Sequence, residues 1–432
     1  MASFTIVSIF LLYIFFAGVT GVPFSPKEPD LGQYVKTTTL NIPSSDRPTR
    51  ILFVGDIHGQ FDDFQNLLRK VNYDPAAGDV LVHTGDIITR GAADGSKNVL
   101  DWMAKHDTYG VRGNNDQAII DWKAWRDWIS STSAGRAWLR SLDEDWEKDN
   151  EKTSTKILNP DTWVKERRKN SPRKYKVWWR RVPEDWKMFR EHYLIAASLE
   201  QHQYEYLLSL PLVLHIPSIH TFTAHAGILA SDITRPPTDR YQPLAHYPSP
   251  PRSLNPALNE TTLRLWQELA ILNDIPQNND PWVVLNMRSI SKDKTITRGN
   301  KRGTPWTKGY NEMMDRCVGY ETDFASDAMT KGLPCMPVSV VYGHSASRGL
   351  DINRWSFGLD TGCVYGRKLT ALILDLPRHH ASSTQQDEDG EGLYDPNDET
   401  QEIFARSQEH KVKFGDNKHL IEASIVDVEC SN

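Results

Sequence analysis

Short apolar runs alternate with amphipathic stretches along this chain. ILFV (Ile51–Val54) is bounded by Arg50 and by the glycine of GDIHG. A short continuous apolar run between turn signals reads as a buried strand. A helix is predicted over Phe61–Val71, and DVLVHTGD reads as a second strand ending at Asp86. A helix near Lys97–Ala104 leads to YGVRGNND, a third strand ending at Asn114, and another helix follows. Further strands are predicted at Leu212–Ile216, Thr221–His225, Val338–Tyr342, Ser356–Leu359 and Leu369–Leu374. Strands that alternate with helices indicate an α/β fold. Trp122, Trp125, Trp128 and Ile129 have near-helical spacing, which predicts core packing.

The ends of the sequence read differently. Phe4–Val22 carries no charge, and the first lysine is Lys27. Its length suits a signal-peptide core or a short membrane anchor. Residues 1–22 are therefore expected to direct the chain into the secretory pathway. The expected destination is a vacuole lumen or membrane, with secretion as the alternative. Residues 23–49 read as an extended linker, residues 50–380 as the folded domain, and residues 381–432 as a polar linker and tail. The sequon Asn259-Glu260-Thr261 agrees with a lumenal chain. The four cysteines, Cys317, Cys335, Cys363 and Cys430, match no zinc spacing, and Cys317 with Cys335 is a candidate pair. A chain of 432 residues with 39% hydrophobic content can build a large core, and a net charge of −6 gives no nucleic-acid signature.

Chemistry gathers at the predicted strand ends. Asp56 and His58 follow the first strand, Asp86 the second, Asn114 the third; His225 and His344 end two later ones. Each alone is a common turn, cap or structural residue. Together they converge on the sheet edge where α/β folds bind ligands. Carboxylate, imidazole and amide oxygen suit divalent transition metals. Asp86 could be shared by two ions, and paired ions clamp the attacking and leaving oxygens of phosphoryl transfer.

These motifs carry a resemblance. GDIHG, GDIITRG, RGNN, HAG and GH, in that order, resemble the signature of calcineurin-like metallophosphoesterases of the phosphoprotein phosphatase branch. The match runs from about Arg50 to Leu376. LDTGCVYGRKLTAL (Leu359–Leu372) is similar to bacterial diadenosine-polyphosphate hydrolases. The apolar leader and the Trp-rich insert, about residues 121–190, resemble fungal vacuolar endopolyphosphatases. The resemblance implies an αββα sandwich of two mixed sheets and two divalent ions (Zn, Mn, Co or Fe). Asp56, His58 and Asp86 would hold one ion; Asp86, Asn114, His225 and His344 the other. Metal-bound water would supply the attacking hydroxide, and Arg90 and Arg112 would bind phosphate.

Asn115 departs from the family, which has a histidine there as general acid, oriented by an aspartate where this chain has Thr89. A serine alkoxide leaves badly, whereas the phosphate leaving from an anhydride has a second pKa of about 6 and needs little protonation. The paired loss fits anhydride cleavage. A substitute acid such as Asp116, or an impaired enzyme, are the competing readings.

The insert holds KERRKNSPRKYKVWWRR (Lys165–Arg181), with nine basic residues and one acidic one, interleaved with Trp163, Trp178, Trp179 and Trp186. Such charge attracts polyanions; a solvated basic loop over packed tryptophans is the bland alternative, and the acidic run Asp143–Glu151 could pair with it. A second basic stretch spans Arg288–Lys308, where Arg288 is the candidate substrate contact. The expected function is a metal-dependent phosphohydrolase acting on inorganic polyphosphate or another phosphate polyanion. Alternatives are a protein Ser/Thr phosphatase, a dinucleoside-polyphosphate hydrolase, and a weakly active polyanion-binding protein that keeps the metals. No specific nucleic-acid partner is indicated.

Overall fold

The computed structural model describes residues 28–29, 31, 34–42, 49–91, 93–152, 158–248, 259–320, 332–376 and 410–431. The leader and the acidic stretch 382–399 lie outside the described residues. No described helix is long and apolar enough to cross a membrane. The chain divides into two compact units, Gln33–Ile120 with Glu191–Asn432, and Met1–Gly32 with Asp121–Arg190.

The larger unit carries the strands β1 (Thr37–Thr39), β2 (Thr49–Val54), β3 (Val80–His83), β4 (Thr108–Gly110), β5 (Val213–Ile216), β6 (Thr221–Ala224), β7 (Ser289–Ile290), β8 (Ile296–Thr297), β9 (Thr304–Pro305), β10 (Ser339–Tyr342), β11 (Asp351–Ile352), β12 (Ser356–Gly358), β13 (Lys368–Leu376), β14 (His410–Phe414) and β15 (Ile421–Glu429). One sheet runs β1-β5-β6-β10-β12-β11, the other β14-β15-β13-β2-β3-β4. Both are mixed. In the first, β6, β10 and β12 are parallel neighbours; in the second, β2, β3 and β4 are. Strands β7, β8 and β9 form a small antiparallel sheet of their own.

Alternation along each strand sorts the side chains between layers. Val341 of β10 joins a core shared by the two sheets, with Phe53, Val82, Leu214, Phe357, Leu372 and Phe414. Its neighbours Val340 and Tyr342 enter a second core with Ile271, Trp306 and Tyr310, on the helices Glu260–Asp274 and Trp306–Met314. The helix Phe61–Lys70 lies against β13 and β15 on the other side. The result is the αββα sandwich.

The ends of this unit depart from the sequence reading. Residues 37–39, read as linker, form β1 on β5. Residues 410–414 and 421–429, read as tail, are β14 and β15, and β15 pairs with β13 from Lys368 to Asp375. A buried Arg264 fixes this hairpin. Its Nη1 donates to Asp416 Oδ2 at 2.5 Å and its Nη2 to the Pro337 carbonyl at 2.7 Å. Disulfides join Cys317 to Cys335 and Cys363 to Cys430. The second ties the loop after β12 to the residue following β15.

In the smaller unit Trp163, Trp178 and Trp179 are buried rather than displayed, while Trp186 is half-buried. Trp163, Trp178 and Trp179 are each less than 9% exposed. Trp179 meets Trp138 edge-on at 5.4 Å, and Trp163 meets Trp146 at 5.3 Å. Arg167 bonds Asp145 at 2.9 Å and Asp149 at 2.7 Å, so the acidic and basic runs pair in part.

Candidate metal centre

The parallel strands of both sheets end at one edge, and the loops leaving them build the site. Strand β2 leads to Asp56 and His58, and β3 to Asp86. Strands β6 and β10 lead to His225 and His344. Asp86 lies three residues beyond β3, and Asn114 opens the helix Asn114–Ser130 rather than ending a strand. His58, Asp86 and His344 adopt positive φ angles of 49°, 48° and 67°. Non-glycine residues rarely do so, and such strain gathers at functional sites. Two glycines permit the approach. A Cβ at Gly343 would collide with Asp56 Oδ1, and one at Gly113 with Asp86.

Each histidine turns one ring nitrogen to a backbone carbonyl and the other inward. His225 Nδ1 donates to Thr84 O at 2.9 Å, His344 Nε2 to Asn286 O at 3.2 Å, and His58 Nδ1 to Ile88 O at 3.4 Å. Such bonds fix the tautomer and aim the second nitrogen, as in metal-ligating histidines. His58 Nε2 lies 4.0 Å from Asp56 Oδ2 and 3.8 Å from Asp86 Oδ2. His225 Nε2 lies 3.5 Å from the same Asp86 oxygen, 3.2 Å from Asn114 Oδ1 and 3.1 Å from His344 Nδ1. Two overlapping donor groups result, Asp56–His58–Asp86 and Asp86–His225–His344, with Asp86 common to both.

The donor set demands positive charge. Burial, with Asp360 and Asp86 nearby, pushes the Asp56 carboxyl well up. Burial pushes Asp360 up too. Burial opposes a charged His225, yet Asp86 and Asp56 hold its pKa at about 10. Burial would raise Asp86, but His225 and His58 hold it far below the usual range. A proton on His225 is the protein's own source of that charge; divalent ions, favoured by carboxylate, imidazole and amide oxygen, fit the same place. The other clustered group, Asp63 with Cys363 and Cys430, offers no free thiolate, since its sulfurs are bonded to each other.

The chain matches the calcineurin-like phosphoesterase family over residues 49–348. It is a calcineurin-like phosphoesterase. Similar proteins include symmetrical bis(5'-nucleosyl)-tetraphosphatases. That of Actinobacillus pleuropneumoniae serotype 5b (strain L20) is 59% identical over 69 residues, 16% of this chain and 24% of the relative. That of Chromobacterium violaceum is 41% identical over 72 residues, 16% of this chain and 25% of the relative. This phosphoesterase therefore spans about a quarter of the length of these curated relatives. A crystal structure of a candidate diadenosine tetraphosphatase aligns over 79% of this chain and 94% of its own, with 22% identity and a TM-score of 0.40.

Beside the donors, the phosphoesterase has a cavity of about 320 Å³. Arg90, Arg288, Arg298, Asp360 and Tyr365 line it together with Asp56, His58, Asp86, Asn114, Asn115 and His344. Arg90 Nη1 donates to the Tyr365 hydroxyl at 2.7 Å. Arg288 Nη2 donates to His344 O at 2.8 Å and Nη1 to Arg298 O at 3.0 Å. Arg112, expected to bind phosphate, is not among the lining residues. The residue is 1% exposed, and its guanidinium donates to Gln117 Oε1 and Leu208 O, both at 2.9 Å. It follows β4 by two residues, and there the chain is still bonded inward, from Arg112 N to Pro211 O at 2.8 Å.

Asn115 Nδ2 donates to Asp86 Oδ2 at 2.6 Å, and its backbone N–H to Asp86 Oδ1 at 2.8 Å. Asp116 is buried and accepts the N–H groups of Asp86 and Gly113 at 2.9 and 2.8 Å. Burial, with Asp86 close by, raises it to about 7. It caps the turn and does not line the cavity, so it is not placed as a substitute acid. Sequence reasoning missed His192, whose Nε2 lies 3.0 Å from Asn115 Oδ1, and Asp360. Asp360 follows β12 as the other donors follow their strands, a signal that could have found it. His192 sits on a helix and has no such signal.

Proposed function

We propose that this phosphoesterase hydrolyses phosphoanhydride bonds, with inorganic polyphosphate as its leading substrate. One observation carries the reading. The residue where the family's proton donor would stand is Asn115, and its amide nitrogen is spent on Asp86 at 2.6 Å. The nearby His192 Nε2 faces Asn115 Oδ1 rather than the cavity. A site without a proton donor at the leaving oxygen favours leaving groups that depart as anions, and phosphate is one.

Arg90, Arg288 and Arg298 supply planar donors for phosphoryl oxygens around the cavity. They orient the chain of phosphates and stabilise charge that develops on the transferred group. Divalent ions held by Asp56, His58, Asp86, Asn114, His225 and His344 would supply a nucleophile at neutral pH and neutralise that charge. Two disulfides support an oxidising compartment, in keeping with entry into the secretory pathway.

A second reading, hydrolysis of dinucleoside polyphosphates, draws support from the bis(5'-nucleosyl)-tetraphosphatases and from Tyr365. That ring lines the cavity and is 56% exposed, a surface on which a base could stack. The test compares kcat/KM of the purified full-length chain on long-chain polyphosphate, diadenosine tetraphosphate and a phosphoserine peptide. Polyphosphate is expected to lead. A preference for the phosphopeptide would overturn the anhydride reading; a preference for the dinucleotide would select the second.

A further inference from the structure

Asn115 has a defined polarity. A carboxylate only accepts hydrogen bonds, so the amide group 2.6 Å from Asp86 Oδ2 is the nitrogen. The amide oxygen therefore faces His192 Nε2 at 3.0 Å, and that nitrogen must carry the hydrogen. The bonds run one way, from His192 to Asn115 to Asp86. His192 is the second residue of the helix Glu191–Ser198, and its neighbour Glu191 accepts the backbone N–H of Arg90. The first turn of this helix is thus fastened to the loop that follows Asp86. Burial holds the His192 imidazole below its usual range, in keeping with a neutral ring that has one N–H.

We propose that His192 is a positioning residue of the metal centre, acting through Asn115 on the shared carboxylate of Asp86. It is not among the residues that line the cavity, and its Nε2 is engaged by Asn115 Oδ1. Its effect is orientational. If the Asn115 amide turned over, its oxygen would face the Asp86 carboxylate and the bond would become a repulsion. His192 holds the productive rotamer by requiring an acceptor on its own side. Asp86 is the one carboxylate common to both donor groups, so its orientation bears on both ions.

The experiment uses the full-length chain and reads Mn²⁺ affinity by calorimetry, together with kcat and KM on tripolyphosphate. The variants are His192→Ala, His192→Gln, Asn115→Ala and the double His192→Ala/Asn115→Ala. Outer partners of metal ligands typically matter by 10–100-fold. His192→Ala is expected to weaken Mn²⁺ binding and lower kcat by about that factor, with KM within ~3-fold. His192→Gln, whose amide can donate to Asn115, is expected to restore most of both. In the Asn115→Ala background the His192→Ala change should add no more than ~2-fold. Losses that multiply in the double variant would overturn the proposal. So would a His192→Gln protein with normal Mn²⁺ affinity but a lost alkaline limb of the kcat profile, which would make His192 a proton donor. If His192→Ala does not fold, His192→Gln against His192→Phe, which fills the space without a donor, decides the same question.

Discussion

His344 Nδ1 lies 3.1 Å from His225 Nε2, and each ring has already turned its other nitrogen to a backbone carbonyl. At that distance two lone pairs would repel, so a proton on His225 or divalent ions must supply positive charge there. Divalent ions are therefore expected to stabilise the fold as well as complete the site. At a Mn²⁺ concentration 100 times the dissociation constant, the gain is ~2.7 kcal/mol for each site. Thermal melts with and without chelator measure it. Asp86→Ala removes the ligand common to both groups and should lower bound metal, read by mass spectrometry, and nearly abolish hydrolysis. Unchanged metal content in a folded variant would count against the centre as drawn.

The leaving-group argument has its own test in Asn115→His combined with Thr89→Asp. Thr89 is fully buried at a φ of 77°, a conformation that aspartate tolerates better than a β-branched residue. The new pair supplies an oriented acid. Turnover of an alkyl phosphate is expected to rise by up to ~10²-fold, while polyphosphate turnover changes by less than tenfold. Equal gains on both substrates would point to an enzyme impaired by its missing acid.

Arg288 and Arg112, both candidate phosphate contacts in the sequence, should separate by experiment. Arg288→Ala is expected to raise KM for polyphosphate and lower kcat, with a smaller change in melting temperature than Arg112→Ala, because Arg288 lines the cavity and its bonds to the His344 and Arg298 carbonyls are exposed or part-buried. Arg112→Ala is expected to act on folding. It removes the buried bond to Gln117 Oε1 and the part-buried bond to Leu208 O, a loss of about 1–3 kcal/mol in all. Urea denaturation and steady-state kinetics on both variants make the comparison.

Acid should weaken the C-terminal hairpin in a predictable window. Burial would raise the Asp416 carboxyl, but Arg264 outweighs it and holds the pKa at about 2, against an ordinary 3.8. A depressed carboxylate contributes stability that is present above the unfolded value and lost as pH falls through the folded one. The contribution is about 2 kcal/mol at neutral pH, and it disappears between pH 3.8 and about 2. The stability gap between wild type and Asp416→Asn, from denaturant titrations, should therefore narrow across that window. A gap that stays constant from pH 7 to pH 2 would exclude the linkage.

Much of the sandwich was legible because its central strands are apolar runs that end in polar, glycine-rich turns. The strand ends Asp56, His58, Asp86, His225 and His344 stand out for the same reason. The edges were hidden. Strand β1 is three exposed threonines, with no apolar pattern to mark it. Strand β15 is partly apolar, but it follows a long acidic stretch that drew the whole C-terminal segment into one polar reading. Arg112 turns its guanidinium to Gln117 and Leu208, which the motif does not reveal, because a motif fixes the order of residues and not the direction of a side chain. His192 was missed because it meets Asn115 across 77 residues, from a helix with no local mark of a site. Trp163, Trp178 and Trp179 show the same limit, since sequence interleaves them with charge while packing turns them inward.

The backbone N–H of His344 donates to Asp56 across 288 residues. During synthesis the carboxylates of Asp56 and Asp86 leave the ribosome early, while their last imidazole arrives when most of the chain has been made. Strand β2, central in its sheet, must wait longer still for β13, and β13 for β15. A nascent chain thus carries half a cation site and an open hydrophobic strand through most of translation. Ion capture and sheet closure come late in its making, and a ribosome that stalls before β13 releases a product that holds every donor but cannot close the sheet around β2.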